Sequence, residues 1–411
     1  MKLLADAQRH VLSAVGLLEA IQVPIAEANG LVLAADVPAP HDVPPFANSA
    51  MDGYAVLANE TAQAPVTLNV IEDVAAGHVA HRTVVPGTAI KIMTGAPMPA
   101  RADAVVRVED THQDGAAVHI NHAVEQGENV RAAGGDLLAG SVVFEAGTRL
   151  TPHHLGVLTS IGVGKPLVHR RPVVGVLSTG DEVLSPEASL EPGKIHDSNR
   201  PQLLALLDEL GVDSIDLGIV GDEAVALRST LQRGAAEADV LFTSGGVSMG
   251  EYDVVKAVLS ETGDVAVWRV AIQPAKPFAF GHVSGTPLFG LPGNPVSVVV
   301  GFEQFARPAL LKMMGARKLF RPRIPATLAV DVDTDPAKTV FLRMVAELEG
   351  DEWLARPAGG QSSNQLTALA RANAFGVVPV GTAGLAAGSR IVLEMFRWPE
   401  SRTEQEVLNG G

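Results

Sequence analysis

From Arg171 onward the chain alternates short apolar runs with helical patterns, and that alternation restricts the fold more than any other feature. VVGVL at 173–177 reads as a strand, and QLLALLDEL, following Asn199-Arg200-Pro201, reads as a helix stopped by Gly211. A strand over 215–220 and a helix over 222–236 come next. Then VLF at 240–242 makes a buried strand, a glycine-rich loop follows, and YDVVKAVL from Tyr252 starts another helix. VAVWRVAI and TPLFGL add strands, and a last helix begins near Pro295. Such a β-α-β succession predicts a doubly wound, largely parallel sheet, with its strand C-termini delivered to one edge.

Three loops therefore meet at that edge: STGDE (178–182), TSGGVS (243–248) and LPGNP (291–295). They bring hydroxyls, glycine amides and the carboxylate Glu182, with Asp253 just beyond and Lys276 from QPAKP. Glycine pairs allow the positive φ that turns successive amides toward one anion. Hard oxygen ligands, amides and a lysine suit a phosphorylated ligand with magnesium. Any one loop alone is equally compatible with an ordinary strand-to-helix turn. GxGxxG is absent and GVGKP (162–166) lacks phosphate-loop spacing, so neither nucleotide fingerprint applies.

Composition narrows the chemistry. The 411 residues suggest about three domains. With no cysteine, disulfides, thiolate nucleophiles and Cys-ligated metals are excluded. A net charge of −15 argues against broad nucleic-acid binding. No uninterrupted apolar stretch is long enough to span a bilayer, so a cytoplasmic protein is expected.

Elsewhere the signals are local. Apolar spacing over 3–21 predicts an amphipathic helix weakened at Gly16, and VPAPHDVPPF (37–46) must be extended. ANSAMDGYAV (47–56) reads as a turn. Short alternating runs over 64–150 predict a β-rich unit containing the clusters IMTGAPMP and NVRAAGGDL. Thr151-Pro152 starts a helix, and the adjacent His153 and His154 face different directions, which argues against a chelate. Beyond the basic boundary KMMGARKLFRPRIP a small β unit is expected, ending in a frayed tail.

Taken together, ANSAMDGYAV, IMTGAPMP, LSTGDEV, KIHDSNRPQLL, TSGGVSMGEYDVVK, AKPFAFG and GLPGNPVS resemble, in this order, the molybdopterin molybdenumtransferases, the MoeA and gephyrin E-domain family. The resemblance implies a multidomain α/β and β protein. Its parts would be a discontinuous dimerisation domain (1–46 and 147–170), a β-rich insertion domain (47–146), a molybdopterin-binding α/β domain (171–318) and a C-terminal β-barrel-like domain (319–411). It implies a homodimer whose cleft joins the α/β domain of one subunit to the insertion domain of the other. The implied reaction is insertion of molybdate into adenylylated molybdopterin, with Mg²⁺ and release of AMP.

By motif, the resemblance implies that Ser178, Thr179, Gly180, Thr243, Ser244, Gly245, Gly246 and Ser248 cradle the pterin phosphate or the oxyanion. Asp52, Glu182, Asp222 and Asp253 would hold Mg²⁺ or position water, with Glu182 and Asp253 as the metal ligands. Thr94, Arg131 and Asp136 would complete the cleft from the partner subunit. Pro292, Asn294 and Pro295 would shape its wall, and Lys276, Arg343 and Ser363 would face molybdate. Molybdopterin adenylyltransferase and molybdoenzyme apoproteins are the implied exchange partners, with neither nucleic acid nor membrane.

Two departures stand out: the family's KPGKP is Gln273-Pro274-Ala275-Lys276-Pro277 here, and its Gly-Glu-Asp is Gly134-Gly135-Asp136. The first removes a cation, leaving a neutral amide that donates without charge assistance. A catalytically weak dimeric scaffold and a molybdopterin adenylyltransferase are the alternative readings; the added N-terminal, β-rich and C-terminal segments argue against the latter.

Overall fold

The computed structural model describes residues 1–246, 263–400 and 403–408. Ser248, Asp253 and the helix expected from Tyr252 lie outside the described residues. In the α/β unit, Asp213–Val220, Val173–Thr179, Val240–Ser244 and Thr286–Leu291 run parallel in that spatial order. Pro277–Val283 then pairs antiparallel with Thr286–Leu291, and Gly263–Arg269 antiparallel with Pro277–Val283. The chain runs outward from Val173–Thr179 to one side and returns on its other side as Val240–Ser244, so the topological switch lies between these two strands.

Alternation along the strands accounts for two covered faces. Val174, Val176, Val240, Phe242 and Phe289 point into one core with Leu203 and Leu207 of the helix Asn199–Leu210. Leu177, Leu241 and Leu288 point into another with Leu227 and Leu231 of Ala224–Glu237. Helices on both faces make the sheet doubly wound. Gly211, at φ +77°, ends the first of these helices where the sequence placed its stop.

The last helix of this unit is longer than its pattern suggests. Pro295–Gly301 continues through a π-turn, Phe302–Ala306, into Arg307–Met313. Pro308 has no N–H to offer the Gln304 carbonyl, and Gln8 Nε2 donates to that oxygen instead at 3.2 Å. The N-terminal helix carrying Gln8 spans Leu4–Ala14, shorter than expected. Past Gly16 the chain forms a strand, Ala20–Gln22, paired with Leu167–His169, which pairs in turn with Val32–Leu33.

The β-rich insertion is a six-stranded sheet with a small core on each face. Its second strand is Gly53–Val56, fully buried, within the stretch that reads as a turn. Tyr54 and Val56 point to one side and Ala55 to the other. The C-terminal unit is a closed barrel: Thr339–Glu349, Glu352–Pro357, Arg323–Leu328, Arg390–Met395 and Ala374–Val378 pair in that order, and the last returns to the first. Ile272–Gln273 of the α/β unit pairs parallel with Thr339 and Val340 of the barrel. Among the described residues no helix is long and apolar enough to cross a membrane.

Candidate active site

The three loops do converge. A Cβ on Gly245, at φ +95°, would lie 2.5 Å from the Thr179 carbonyl oxygen, so the two loops touch where only a hydrogen fits. Gly245 N donates to Leu291 O at 3.1 Å, and Thr179 Oγ1 donates to Ser244 O at 3.3 Å. Asn199 Nδ2 donates to both Ser244 Oγ (2.8 Å) and Gly293 O (2.7 Å), fastening the second loop to the third.

The same residues are also bonded within the protein. Ser178, Thr179, Thr243 and Ser244 are all buried. Ser178 donates to Asp197 Oδ1 at 3.0 Å, and that carboxylate also accepts the Asn199 and Arg200 amides at the start of the helix Asn199–Leu210. The Gly180 amide is bonded to Val220 O. These bonds help build the rim, as expected of polar atoms at the ends of buried strands. Thr243 Oγ1 alone among these hydroxyls has no partner among the described residues. Asn199, which sits in the KIHDSNRPQLL motif, was not singled out from the sequence; its double role depends on two loops distant in the chain.

Acidic groups crowd the mouth of the rim. The Glu182 carboxylate folds back over Gly180, where a Cβ would lie 2.4 Å from its Oε2. Asp181 Oδ1 accepts the Asp222 amide at 2.9 Å. Burial, with the neighbouring Asp181 and Glu182 charges, pushes the Asp222 carboxyl up from its ordinary value. Among the described residues no three His, Cys, Asp or Glu side chains converge as a metal set.

Next to the rim, a cavity of about 500 Å³ lies at the seam between the α/β unit and the barrel. Pro292, Asn294, Lys276 and Ser363, all expected site residues, line it with Gln273, Ser297, Lys338 and Ser362. Pro295 begins the helix that flanks it, and the Val296 amide donates to Ser363 O at 3.2 Å. Arg343 stands behind this wall, fully buried, its Nη2 donating to Gly360 O (2.9 Å) and Ser362 O (3.2 Å). Burial lowers its pKa to about 10. It holds the serine loop from behind the cavity lining, and its Nε has no partner among the described residues. A cavity of about 520 Å³ on the other side of the long helix contains none of the expected residues.

Of the insertion-domain candidates, Asp52 and Thr94 bond each other. Asp52 Oδ1 accepts the Thr94 amide (2.7 Å) and the Thr94 hydroxyl (2.8 Å), which hold the exposed Asp52 carboxyl below the ordinary carboxylate range. Arg131, exposed, pairs through its backbone with Asn48, and the Asp136 amide donates to Val43 O. Among the described residues no hydrogen bond or ion pair joins any of these four to the rim.

Comparison with known proteins settles the family. The MoeA N-terminal region (domain I and II) matches residues 3–162, the probable molybdopterin binding domain 175–312, and the MoeA C-terminal region (domain IV) 325–395. The chain belongs to the MoeA family. A molybdopterin molybdenumtransferase 2 of Mycobacterium tuberculosis is 38% identical over 401 residues, 95% of this chain and 98% of that protein. A molybdopterin molybdenumtransferase of Haemophilus influenzae is 35% identical, covering 90% of this chain and 93% of the relative. The crystal structure of a molybdopterin biosynthesis MoeA protein from Pyrococcus horikosii superposes with a TM-score of 0.81 at 33% identity, over 97% of this chain and 99% of that one. This MoeA-family chain therefore carries the rim and the seam cavity within a fold shared along nearly its whole length.

Proposed function

We propose that this chain inserts molybdate into adenylylated molybdopterin with release of AMP, a step of molybdenum cofactor biosynthesis. The observation that carries the reading is the continuity of two sites through Asn294. The LPGNP loop is fastened to the rim at Gly293 and lines the seam cavity through Asn294, and that cavity offers lysine, serine and asparagine donors for a tetrahedral oxyanion; a pterin with its phosphates would lie along the rim at the switch point. The near-full-length relatives carry the name of this transferase.

Chemistry assigns the parts. Molybdenum is held by soft sulfur ligands, and this chain has no thiol, so both sulfurs belong to the pterin dithiolene. Two dithiol protons leave with one molybdate oxygen as water, and one further water adds across the phosphoanhydride to free AMP. Lys276 Nζ neutralises the oxyanion while it is bound, and Asn294 orients it against the pterin sulfurs. Oxygen donors at the rim mouth suit Mg²⁺, and the mutual repulsion of Asp181, Glu182 and Asp222 is what a divalent cation relieves. Glu182 and Asp222 are the described residues that would hold it, and Asp253 is a further candidate by motif; the ion would supply charge neutralisation to the phosphates. Asp52 and Thr94, whose side chains bond each other and not the described rim residues, act on the cleft of a second subunit in a homodimer.

The test is reconstitution. Purified protein, adenylylated molybdopterin, molybdate and Mg²⁺ are incubated with nitrate reductase apoenzyme, and nitrate reduction should appear only with all components present. Pterin binding without any active nitrate reductase would point to a scaffold and overturn the proposal.

A further inference from the structure

We propose that Lys338, contributed by the barrel, is the second cation of the oxyanion cavity, facing the Lys276 contributed by the α/β unit. The inference rests on the reading of that cavity given above and deepens it.

Backbone geometry fixes Lys338 at the seam. The Ile272–Gln273 segment pairs with Thr339 and Val340, and the Thr339 amide donates to Ala271 O at 2.9 Å. Lys338 immediately precedes this pairing and lines the same cavity as Gln273 and Lys276. Its approach is also held from the other side. The Lys338 amide bonds to Asp335 O at 3.1 Å, and Asp335 Oδ1 accepts the Ala337 amide at 2.9 Å, closing a tight turn. The ammonium sits 2.6 Å from Asp335 Oδ2 and 3.5 Å from Gln273 Oε1, and its side chain is only 19% exposed.

The charges fit an occupant that is itself an anion. Lys338 and, at longer range, Lys276 both act on the Asp335 carboxyl, which is held below its ordinary value. Two lysines against one aspartate leave the cavity a net positive charge, while Ile272, Pro274, Pro277 and Pro292 give it poorly polarisable walls that strengthen the field inside. A tetrahedral dianion needs donors from several directions. Lys276 and Ser297 approach from the α/β side, and Lys338 and Ser363 from the barrel side. Asp335 is then the counter-ion that holds the Lys338 ammonium in place until the oxyanion takes it over.

Titration calorimetry with sodium molybdate alone tests this on the full-length protein. We expect Lys338→Gln to weaken molybdate binding at least tenfold, Lys338→Arg to stay within about threefold of wild type, and Gln273→Lys to restore part of the affinity to the Lys338→Gln protein. In turnover, Lys338→Gln should raise KM for molybdate and leave KM for adenylylated molybdopterin unchanged, a split that general loosening of the seam does not produce. Wild-type affinity in Lys338→Gln, or equal loss in Lys338→Gln and Lys338→Arg, overturns the role of Lys338 while leaving the cavity assigned to molybdate. Failure of the wild-type protein to bind molybdate overturns the cavity assignment and this inference together.

Discussion

Asp52 shows what a single exposed side chain contributes here. Both of its bonds go to Thr94, so the carboxylate is held in one orientation without any part in a core. Asp52→Ala should therefore reduce molybdate insertion by at least about 100-fold while moving Tm by no more than about 3 °C, read by reconstitution and by calorimetry. The Thr94 bonds lower its pKa. Their contribution to stability is complete above the unfolded-state carboxylate value and is lost only as pH falls through the lower folded one. Acid inactivation at mildly acidic pH is thus not titration of Asp52. That aspartate and Thr94 could be named from their motifs, but their mutual bonding could not, since it depends on two turns of one small sheet. The partners of the Ser178, Thr179 and Ser244 hydroxyls were hidden for the same reason: a Ser-Thr-Gly cluster looks the same in sequence whichever side chain or carbonyl its oxygens meet.

At the level of elements, the rim depends on strand ends meeting closely. Gly245→Ala would push a methyl against the Thr179 carbonyl and strain a left-handed φ, at a cost of about 1–3 kcal/mol. We expect a lower urea midpoint and loss of pterin binding, measured by fluorescence quenching, with Thr179 and Gly245 forced apart. The opposite end of the same sheet is clamped by Asp239, which accepts two bonds from Arg170 (2.6 and 2.7 Å) and the Val173 amide at 2.8 Å. These bonds lower the Asp239 pKa, so its stabilisation is present above the unfolded-state value and disappears as pH falls through the folded one. Asp239→Asn should cost about 1 kcal/mol at neutral pH, and the urea midpoints of wild type and variant should converge below the ordinary carboxylate range. The parallel strands were legible as apolar runs bounded by turn residues. Pro277–Val283 was not, because it opens on proline and lacks a polar alternation. Ala20–Gln22 was absorbed into a helix, since its partner, Leu167–His169, is far along the chain.

For the whole molecule, the decisive question is which subunit supplies which wall. If the cleft joins the insertion domain of one subunit to the rim of another, co-expressed Asp52→Ala and Lys276→Ala chains form mixed dimers with one doubly altered cleft and one intact cleft. About a quarter of wild-type activity should then return in the mixture, given random pairing. Activity no higher than in either variant alone would mean that each cleft is built from one chain. Closure of the barrel was likewise hidden from sequence, because it rests on Ala374–Val378 finding both Arg390–Met395 and Thr339–Glu349.

The short parallel pairing of Ile272–Gln273 with the barrel has a mechanical consequence. Main-chain bonds stitch the walls of the seam cavity together across two folding units, so neither unit can swing from the other without unfastening that stitch.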